Sequence, residues 1–177
     1  VKFDDVLFSA SLLTAFITSF DPCVSILGIY LNNNSYYFDS LYLTFDEGYE
    51  NGFTAMILDI LKKTRTPATF FVTGPYLENQ QELVQRMIDN GHVVGNHTVN
   101  HPNLANQSTE IVKKELDELN KICKEKYGVT MKYMRPPEGE YSEKLLAVAN
   151  RLGYKTAFWS FAYKDWDPNS NKGKDFV

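Results

Sequence analysis

Three separated clusters of polar residues hold the side chains that could do chemistry in this chain. They are residues 44–48 (TFDEG), 97–101 (HTVNH) and 135–139 (RPPEG). Each cluster follows a short apolar run, and parallel strands would bring all three to the same edge of a sheet. Carboxylates, imidazoles and a guanidinium gathered at one edge are typical of a metal-assisted hydrolytic site.

The first cluster contains two adjacent carboxylates, Asp46 and Glu47. At the corner between a strand and a turn, neighbouring side chains point in different directions, so one can bind a metal while the other stays free as a base. Acidic residues before a glycine are also common in turns that have no catalytic role. Taken alone, the pair therefore favours an ordinary turn.

The second cluster contains two imidazoles four residues apart, His97 and His101. If the chain continues as a helical turn after the strand, both rings share a face and can reach one cation. Imidazole with carboxylate suits zinc and similar divalent ions. A solvated or structural role is an equally frequent alternative for such a pair. His92 opens a strand and is interpreted as a structural histidine.

Two further signals are less specific. Pro136 and Pro137 hold the backbone extended and fix where Arg135 leaves its strand. A buried guanidinium there needs an acidic partner and would orient the base, whereas a surface arginine before a proline turn is the alternative. A tryptophan near a strand end, such as Trp159 or Trp166, can line a carbohydrate pocket but more often belongs to the core or its rim.

Length and composition limit the class of protein. The 177 residues support one domain with a sizeable core, and 44% hydrophobic with 23% charged residues is ordinary for a globular protein. The formal net charge of −4 gives no electrostatic footprint for nucleic acid or an anionic membrane. Cys23 and Cys123 lack metal-binding spacing, so we expect one buried and one incidental thiol, with a disulfide in an oxidising compartment as the alternative.

The first forty residues differ from the rest. Residues 6–17 (VLFSASLLTAFI) form an apolar run that is too short to span a bilayer, which needs about 20 residues, but that suits the apolar region of a secretory signal. The chain opens with Val1 and carries two aspartates where a signal is positively charged, which favours ordinary or poorly ordered structure instead. We divide the chain into an N-terminal segment, 1–40, and a domain, 41–177.

From residue 41 onward the pattern alternates between strand and helix. Ser108 and Ser142 are predicted to cap the third and fourth helices, and Asn79 with Glu82 resembles a capping box that opens the second. This alternation predicts an α/β fold with parallel strands, right-handed crossovers and working residues at the carboxyl ends of the strands. The strands are predicted at 41–45, 68–72, 92–96, 132–134 and 154–159.

With these motifs the chain resembles the polysaccharide deacetylases of the NodB-homology type, carbohydrate esterase family 4. TFDEG resembles the family's first motif (TFDDG), HTVNH its second (H[ST]xxH), RPPEG its third (RPPxG) and FWSFAYKDW its fourth, tryptophan-bearing segment. The four motifs occur in the right order over residues 41–167. The chain looks closest to the PdaA-type subgroup, which de-N-acetylates muramic acid in the spore-cortex peptidoglycan of spore-forming bacteria.

The resemblance implies a role for individual residues. Asp46 matches the catalytic base, which takes a proton from the metal-bound water, and His97 and His101 match two metal ligands. Glu47 stands where the family usually has an aspartate ligand, and it reaches one methylene further. Arg135 matches the residue that orients the base. The substrate contacts implied by the third and fourth motifs are Pro137, Glu138, Trp159, Asp165 and Trp166.

One departure from the family pattern concerns the general acid. The family's fifth motif, Leu-x-His on a later strand, carries the histidine that protonates the leaving amine. All three histidines of this chain lie between positions 92 and 101. The resemblance therefore implies an incomplete (β/α) barrel that lacks its last strands, either a fragment or a truncated product, and a chain that is slow or inactive by itself.

Residues and resemblance together predict a metal-dependent N-deacetylase, with zinc as the expected ion. The expected partner is a cell-wall glycan, the expected location is secreted or wall-associated, and the expected protein is a monomer with no nucleic-acid partner and no membrane span. The alternative is a non-catalytic glycan-binding or remnant domain. A metal-dependent phosphoesterase is less favoured, because the sequence shows neither a second metal site nor a lysine-bearing, glycine-rich phosphate loop.

Overall fold

The structure is a computed structural model that describes residues 6–9, 28–29 and 42–159. The described part alternates strands with helices from residue 43 onward, and a short 3₁₀ turn at Pro137–Gly139 interrupts the alternation. In chain order, the elements are β1 (Val6–Ser9), β2 (Gly28–Ile29), β3 (Leu43–Glu47), α1 (Thr54–Thr64), β4 (Ala68–Val72), α2 (Gly74–Asn79), α3 (Gln81–Asp89), β5 (Val93–Asn96), α4 (Thr109–Tyr127), β6 (Tyr133–Met134), α5 (Glu143–Arg151) and β7 (Lys155–Trp159).

The strands form one sheet in the order β2-β1-β7-β6-β5-β4-β3. From β3 to β7, each strand is parallel to the next one along the chain, and these five strands curl into a half-barrel with helices between them. Strand β1 pairs parallel with β7, and β2 pairs antiparallel with β1. The predicted α/β fold, an incomplete barrel of parallel strands, is confirmed.

The helix boundaries follow the local sequence in most places. The Ser108 and Ser142 hydroxyls each accept a backbone N–H in the first turn, at 3.4 and 3.3 Å, so both predicted caps are confirmed. The predicted capping box at Asn79 is wrong, because Asn79 is the last residue of α2, and α3 begins after Gln80 with no side-chain cap. The six residues of α2 are too few to give a periodic signal in the sequence.

The core lies between the sheet and the helices that cover it. Phe45 and Phe70 on neighbouring strands stack with ring centroids 4.8 Å apart, and apolar residues of the helices pack against this layer. Cys123 of α4 is buried and free, as expected for one of the two thiols, while Cys23 lies outside the described residues. None of the helices in the described ranges is long and apolar enough to cross a bilayer.

Most of the N-terminal segment, 1–40, lies outside the described residues, so its interpretation as a partial signal or poorly ordered segment stays a prediction.

Gly95 leaves room for the ring of Phe71, which lies against Arg135 at the polar edge of the sheet. Gly95 in β5 pairs with Phe71 in β4, and a Cβ on Gly95 would lie 2.5 Å from Cδ1 of the Phe71 ring. The centroid of that ring lies 4.4 Å from the guanidinium carbon of Arg135. The size of the side chain at position 95 therefore affects the position of the Phe71 ring, against which the Arg135 guanidinium packs.

We expect Gly95→Ala to destabilise the protein by about 1–3 kcal/mol, because the added methyl group overpacks the ring of Phe71. Urea unfolding measures the change. Gly48→Ala is the matched control, since a Cβ there meets nothing within 4 Å. Equal stability of the two variants would contradict this account of the packing.

Candidate active site

The polar residues predicted to act together follow neighbouring strands of the half-barrel. Asp46 lies near the end of β3, His97 follows β5 directly, and Arg135 follows β6 directly. Main-chain hydrogen bonds continue the sheet into these positions: the His97 N–H donates to the Val72 carbonyl at 3.0 Å, and the Arg135 N–H donates to the Asn96 carbonyl at 2.9 Å. The site is therefore built on strand ends rather than on long loops.

Arg135 forms a buried ion pair with Asp46. Nη1 of Arg135 donates to Oδ1 of Asp46 at 2.7 Å, and Arg135 is 0% exposed while the Asp46 side chain is 17% exposed. The rings of Phe71 and Trp159 lie over the guanidinium, with centroids 4.4 and 4.8 Å from its central carbon. Burial lowers the pKa of Arg135, and the carboxylate of Asp46 opposes that shift. The alternative of a surface arginine is wrong.

The hydrogen bond of His97 to the main chain determines which ring nitrogen is available. Nδ1 of His97 lies 2.8 Å from the carbonyl oxygen of Arg135. A carbonyl only accepts, so Nδ1 carries the proton and the lone pair of Nε2 stays free, 3.9 Å from Oδ2 of Asp46. Burial lowers the pKa of His97, while the nearby Asp46 charge acts in the opposite direction, so the imidazole is neutral at pH 7.

His101 reaches the same place through a turn and not through a helix. The centroids of the His97 and His101 rings are 4.9 Å apart. The expected helical turn is wrong, because Thr98 and His101 have left-handed backbones with φ of 71° and 55°. Such conformations cost about 1–3 kcal/mol each in residues other than glycine, and a β-branched residue like Thr98 tolerates them worst.

Two side-chain contacts within the turn offset part of this strain. The Thr98 N–H donates to Oδ1 of Asn96 at 2.9 Å, and the His101 N–H donates to the Thr98 hydroxyl at 3.0 Å. The strained turn is therefore tied to the end of strand β5.

Glu47 faces away from Asp46, as alternation along a strand requires. The Thr54 hydroxyl lies 3.5 Å from Oε2 of Glu47, and the carboxyl is buried beneath α1. Burial raises the pKa of Glu47 to about 8, and the charges of Glu50 and Asp46 add to this shift. Glu47 is therefore largely protonated at neutral pH, and its side chain is directed towards Thr54 rather than towards the imidazoles.

The donors that fit a divalent ion are the two imidazoles, with Asp46 as the nearest carboxylate. Neutral imidazoles with one nitrogen fixed by the main chain are typical zinc ligands, and the His97 ring meets that requirement. Among the described residues, no three His, Cys, Asp or Glu side chains are arranged to hold a metal. Ligation by Glu47 stays a prediction, and it requires the side chain to leave its position beside Thr54.

The third motif borders the site with a rigid turn. Pro137 is buried, whereas Glu138 is exposed and adopts a left-handed φ of 60°. Oε2 of Glu138 accepts a hydrogen bond from Nδ2 of Asn103 at 3.1 Å, which joins this turn to the segment after His101. The substrate contacts expected of Pro137 and Glu138 stay predictions.

Trp159 lies between the third motif and the buried arginine. A Cβ on Gly139 would lie 2.5 Å from Cζ3 of Trp159, so only glycine allows this close approach. Trp159 is half-buried and covers the Arg135 guanidinium, so it has a packing role. The expected contact of Trp159 with a sugar stays a prediction. Asp165 and Trp166, the other expected substrate contacts, lie outside the described residues.

The structure also places two residues that the motif analysis missed. Asn96 is fully buried and donates through Nδ2 to the Leu116 carbonyl at 2.9 Å and to the Tyr154 hydroxyl oxygen at 3.0 Å. Glu115 is buried on α4 and accepts hydrogen bonds from Asn100. Their signals were available in the sequence: Asn96 ends an apolar strand, and Glu115 lies on the apolar face of its helix.

His92 has the structural role expected of it. It is buried, and its Nδ1 accepts the Ala68 N–H at 3.3 Å, which ties the start of β5 to β4.

Comparisons with known proteins identify the relatives of this chain. A family model described as polysaccharide deacetylase matches residues 34–157. The peptidoglycan-N-acetylmuramic acid deacetylase PdaA of Bacillus subtilis is 47% identical over 142 residues, which are 78% of this chain and 53% of that protein. A chitooligosaccharide deacetylase of Sinorhizobium fredii is 37% identical over 131 residues, 72% of this chain and 60% of its own length.

Solved structures show the same relationship. The structure of Bacillus subtilis PdaA, a family 4 carbohydrate esterase, matches with a TM-score of 0.71 over 76% of this chain and 58% of that one. A family 4 carbohydrate esterase from Bacillus anthracis is 47% identical and matches with a TM-score of 0.68 over 72% of this chain and 62% of its own. The chain thus spans 53% to 60% of the length of these two curated relatives.

Glu47 is expected to make the stability of the metal-free protein depend on pH. Its pKa is about 8 in the folded chain against an ordinary value of 4.5. Between pH 4.5 and about 8, the carboxyl group therefore keeps its proton in the folded state and loses it in the unfolded state. The stabilisation is therefore complete below pH 4.5 and is lost as the pH rises through about 8. We expect a slope of up to about 1.4 kcal/mol per pH unit, measured by urea unfolding with a chelator present.

Glu47→Gln removes this titration while keeping the size of the side chain, so its unfolding free energy should fall much less over the same interval. Glu118→Gln, on the exposed face of α4, should keep the wild-type slope. A wild-type slope in Glu47→Gln would show that Glu47 does not titrate as its burial requires.

Proposed function

The chain belongs to the polysaccharide deacetylase family, and on that basis we propose that it removes N-acetyl groups from a cell-wall polysaccharide. The proposed substrate is peptidoglycan, with N-acetylmuramic acid as the sugar, and the proposed location is secreted or wall-associated. Support for the substrate comes from the 47% identity to a peptidoglycan-N-acetylmuramic acid deacetylase. The observation that carries the proposal is the position of the Asp46 carboxylate. Its Oδ1 accepts a hydrogen bond from Nη1 of Arg135 at 2.7 Å, and its Oδ2 lies 3.9 Å from Nε2 of His97.

Zinc is the proposed cofactor, held by His97 through Nε2 and by His101, with Glu47 as a candidate third ligand. When bound, zinc supplies Lewis-acid chemistry: it polarises a carbonyl and lowers the pKa of a water molecule towards about 7. The chain's own contribution is to keep the His97 imidazole neutral and to fix its tautomer through the Arg135 carbonyl.

Asp46 is the proposed general base. Its Oδ1 is bound to Arg135, so Oδ2, which faces His97, is the oxygen free to take a proton from water. Attack of that water on the acetyl carbon gives a tetrahedral intermediate, and its collapse releases acetate and a sugar amine once the nitrogen is protonated. A positioned base of this kind contributes about 10²–10⁴-fold to the rate.

The source of the proton for the leaving amine separates two candidate functions. The only histidines in the 177 residues are His92, which is structural, and the pair His97 and His101, which is proposed to bind metal. We therefore expect this chain alone to release acetate slowly or not at all. The same observation favours the alternative, a non-catalytic glycan-binding or remnant domain.

Acetate release from N-acetylated peptidoglycan, compared with chitooligosaccharides, tests the enzyme proposal directly. The assay should use both the 177-residue chain and any longer product of the same reading frame. Acetate from either protein supports the deacetylase. Binding to insoluble peptidoglycan without acetate from either protein supports the glycan-binding alternative and contradicts the enzyme.

Metal removal is expected to abolish whatever deacetylase activity is measured, and zinc should restore it. His97→Gln should lose zinc binding and activity, because its Nε2 is the proposed ligand. His92→Gln is the matched control, since His92 contacts the Ala68 N–H and not the proposed metal ligands. Metal analysis measures zinc binding and the acetate assay measures activity in both variants. Retained zinc affinity in His97→Gln would contradict the proposed ligand set.

In whichever of the two proteins releases acetate, Asp46→Asn is expected to lower the rate by at least about 10²-fold, because the amide cannot accept the proton. Circular dichroism should first show that the variant is folded, since the buried Arg135 loses its counter-charge. In the folded variant, zinc affinity should change far less than activity, because the imidazoles remain. Asp59→Asn, at an exposed position on α1, is the control and should keep wild-type activity. An Asp46→Asn variant with wild-type activity would exclude Asp46 as the base.

A further inference from the structure

The two histidines of the proposed metal site are each preceded by an asparagine that helix α4 holds. Asn96 comes directly before His97, and its Nδ2 donates to the carbonyl of Leu116 at 2.9 Å. Asn100 comes directly before His101 and is bound by the side chain of Glu115. Consecutive residues of one helix thus hold both ends of the segment that presents the imidazoles.

Glu115 binds Asn100 through both carboxyl oxygens. Oε2 accepts the main-chain N–H of Asn100 at 2.9 Å, and Oε1 accepts its side-chain Nδ2 at 2.8 Å. Glu115 is only 8% exposed and lies on the buried face of α4. The contact is therefore a two-point attachment to a packed helix, where water replaces a lost bond poorly.

The contact with Asn100 requires a carboxylate group. Both partners are N–H donors, so two acceptor oxygens are required. Glutamine has the same length, but its NH₂ group would face one of the donors, and one hydrogen bond would be lost. The turn depends on such attachments, because the left-handed backbones of Thr98 and His101 are intrinsically unfavourable.

We propose that Glu115 is a positioning residue for the metal site: by holding Asn100 it fixes where His101 leaves the turn, and so sets the affinity of the two imidazoles for a divalent cation. The zinc part rests on the proposed function. The positioning part concerns the chain without metal and can be measured independently.

Residue-resolved amide hydrogen exchange on the metal-free chain tests the positioning. In Glu115→Gln, the amides of Asn100 and His101 should exchange at least about tenfold faster, which is the lower end of the range for losing a hydrogen bond to a charged group. Amides in the middle of α4 should keep their wild-type rates. Glu118→Gln, at an exposed position of the same helix, is the control and should leave the segment unchanged.

Zinc affinity, measured by competition with a chromophoric chelator, tests the consequence. We expect Glu115→Gln to bind zinc about 10–100-fold more weakly than the wild type, the range typical when a group that orients a ligand is lost. In an Asn100→Ala background, the same substitution should cause little further loss, because its partner is already absent. A purely structural role would lower the melting temperature without this dependence on Asn100.

The outcomes separate this inference from the proposed function. Unchanged exchange at Asn100 and His101 in Glu115→Gln overturns the inference, as does faster exchange with wild-type zinc affinity. A wild-type chain that binds no zinc contradicts the proposed function and the zinc part of the inference, while the exchange comparison still decides whether Glu115 holds the segment.

Discussion

The ion pair between Arg135 and Asp46 is the interaction on which the rest of the site depends. A guanidinium with no solvent exposure is costly to bury, and the 2.7 Å contact with the carboxylate, together with the covering rings of Phe71 and Trp159, offsets part of that cost. The same residue uses its carbonyl to fix the proton on Nδ1 of His97. One residue therefore aligns the proposed base and orients the first proposed ligand.

Regular elements hold the groups around this pair in place. The main-chain N–H of Arg135 donates to the Asn96 carbonyl, so the arginine continues the pairing of β6 with β5. Asn96 and Asn100 attach the histidine turn to α4 from the other side. Groups held by packed strands and helices keep their geometry better than groups on free loops. The strained backbone of the turn persists because these attachments determine its conformation.

Sequence reasoning found the parts that depend on periodicity and on local chemistry. Strand-like runs that alternate with helix-like runs predicted the parallel strands. The strand ends then located Asp46, His97 and Arg135 at one edge. Sequence reasoning failed where particular side-chain contacts and burial decide the outcome. Nothing in a threonine indicates the left-handed backbone of Thr98, which is fixed by the Asn96 side chain. The direction of Glu47 follows from strand alternation, but its pKa of about 8 depends on burial beneath α1, which only the tertiary structure shows.

Anomalous diffraction from crystals of the zinc-loaded chain would locate the metal relative to His97, His101 and Asp46. We expect one zinc ion bound to Nε2 of His97 and to His101, while Nδ1 of His97 remains bonded to the Arg135 carbonyl and Asp46 remains paired with Arg135. Zinc on Nδ1 of His97, or an ion bound away from both imidazoles, would contradict this expectation.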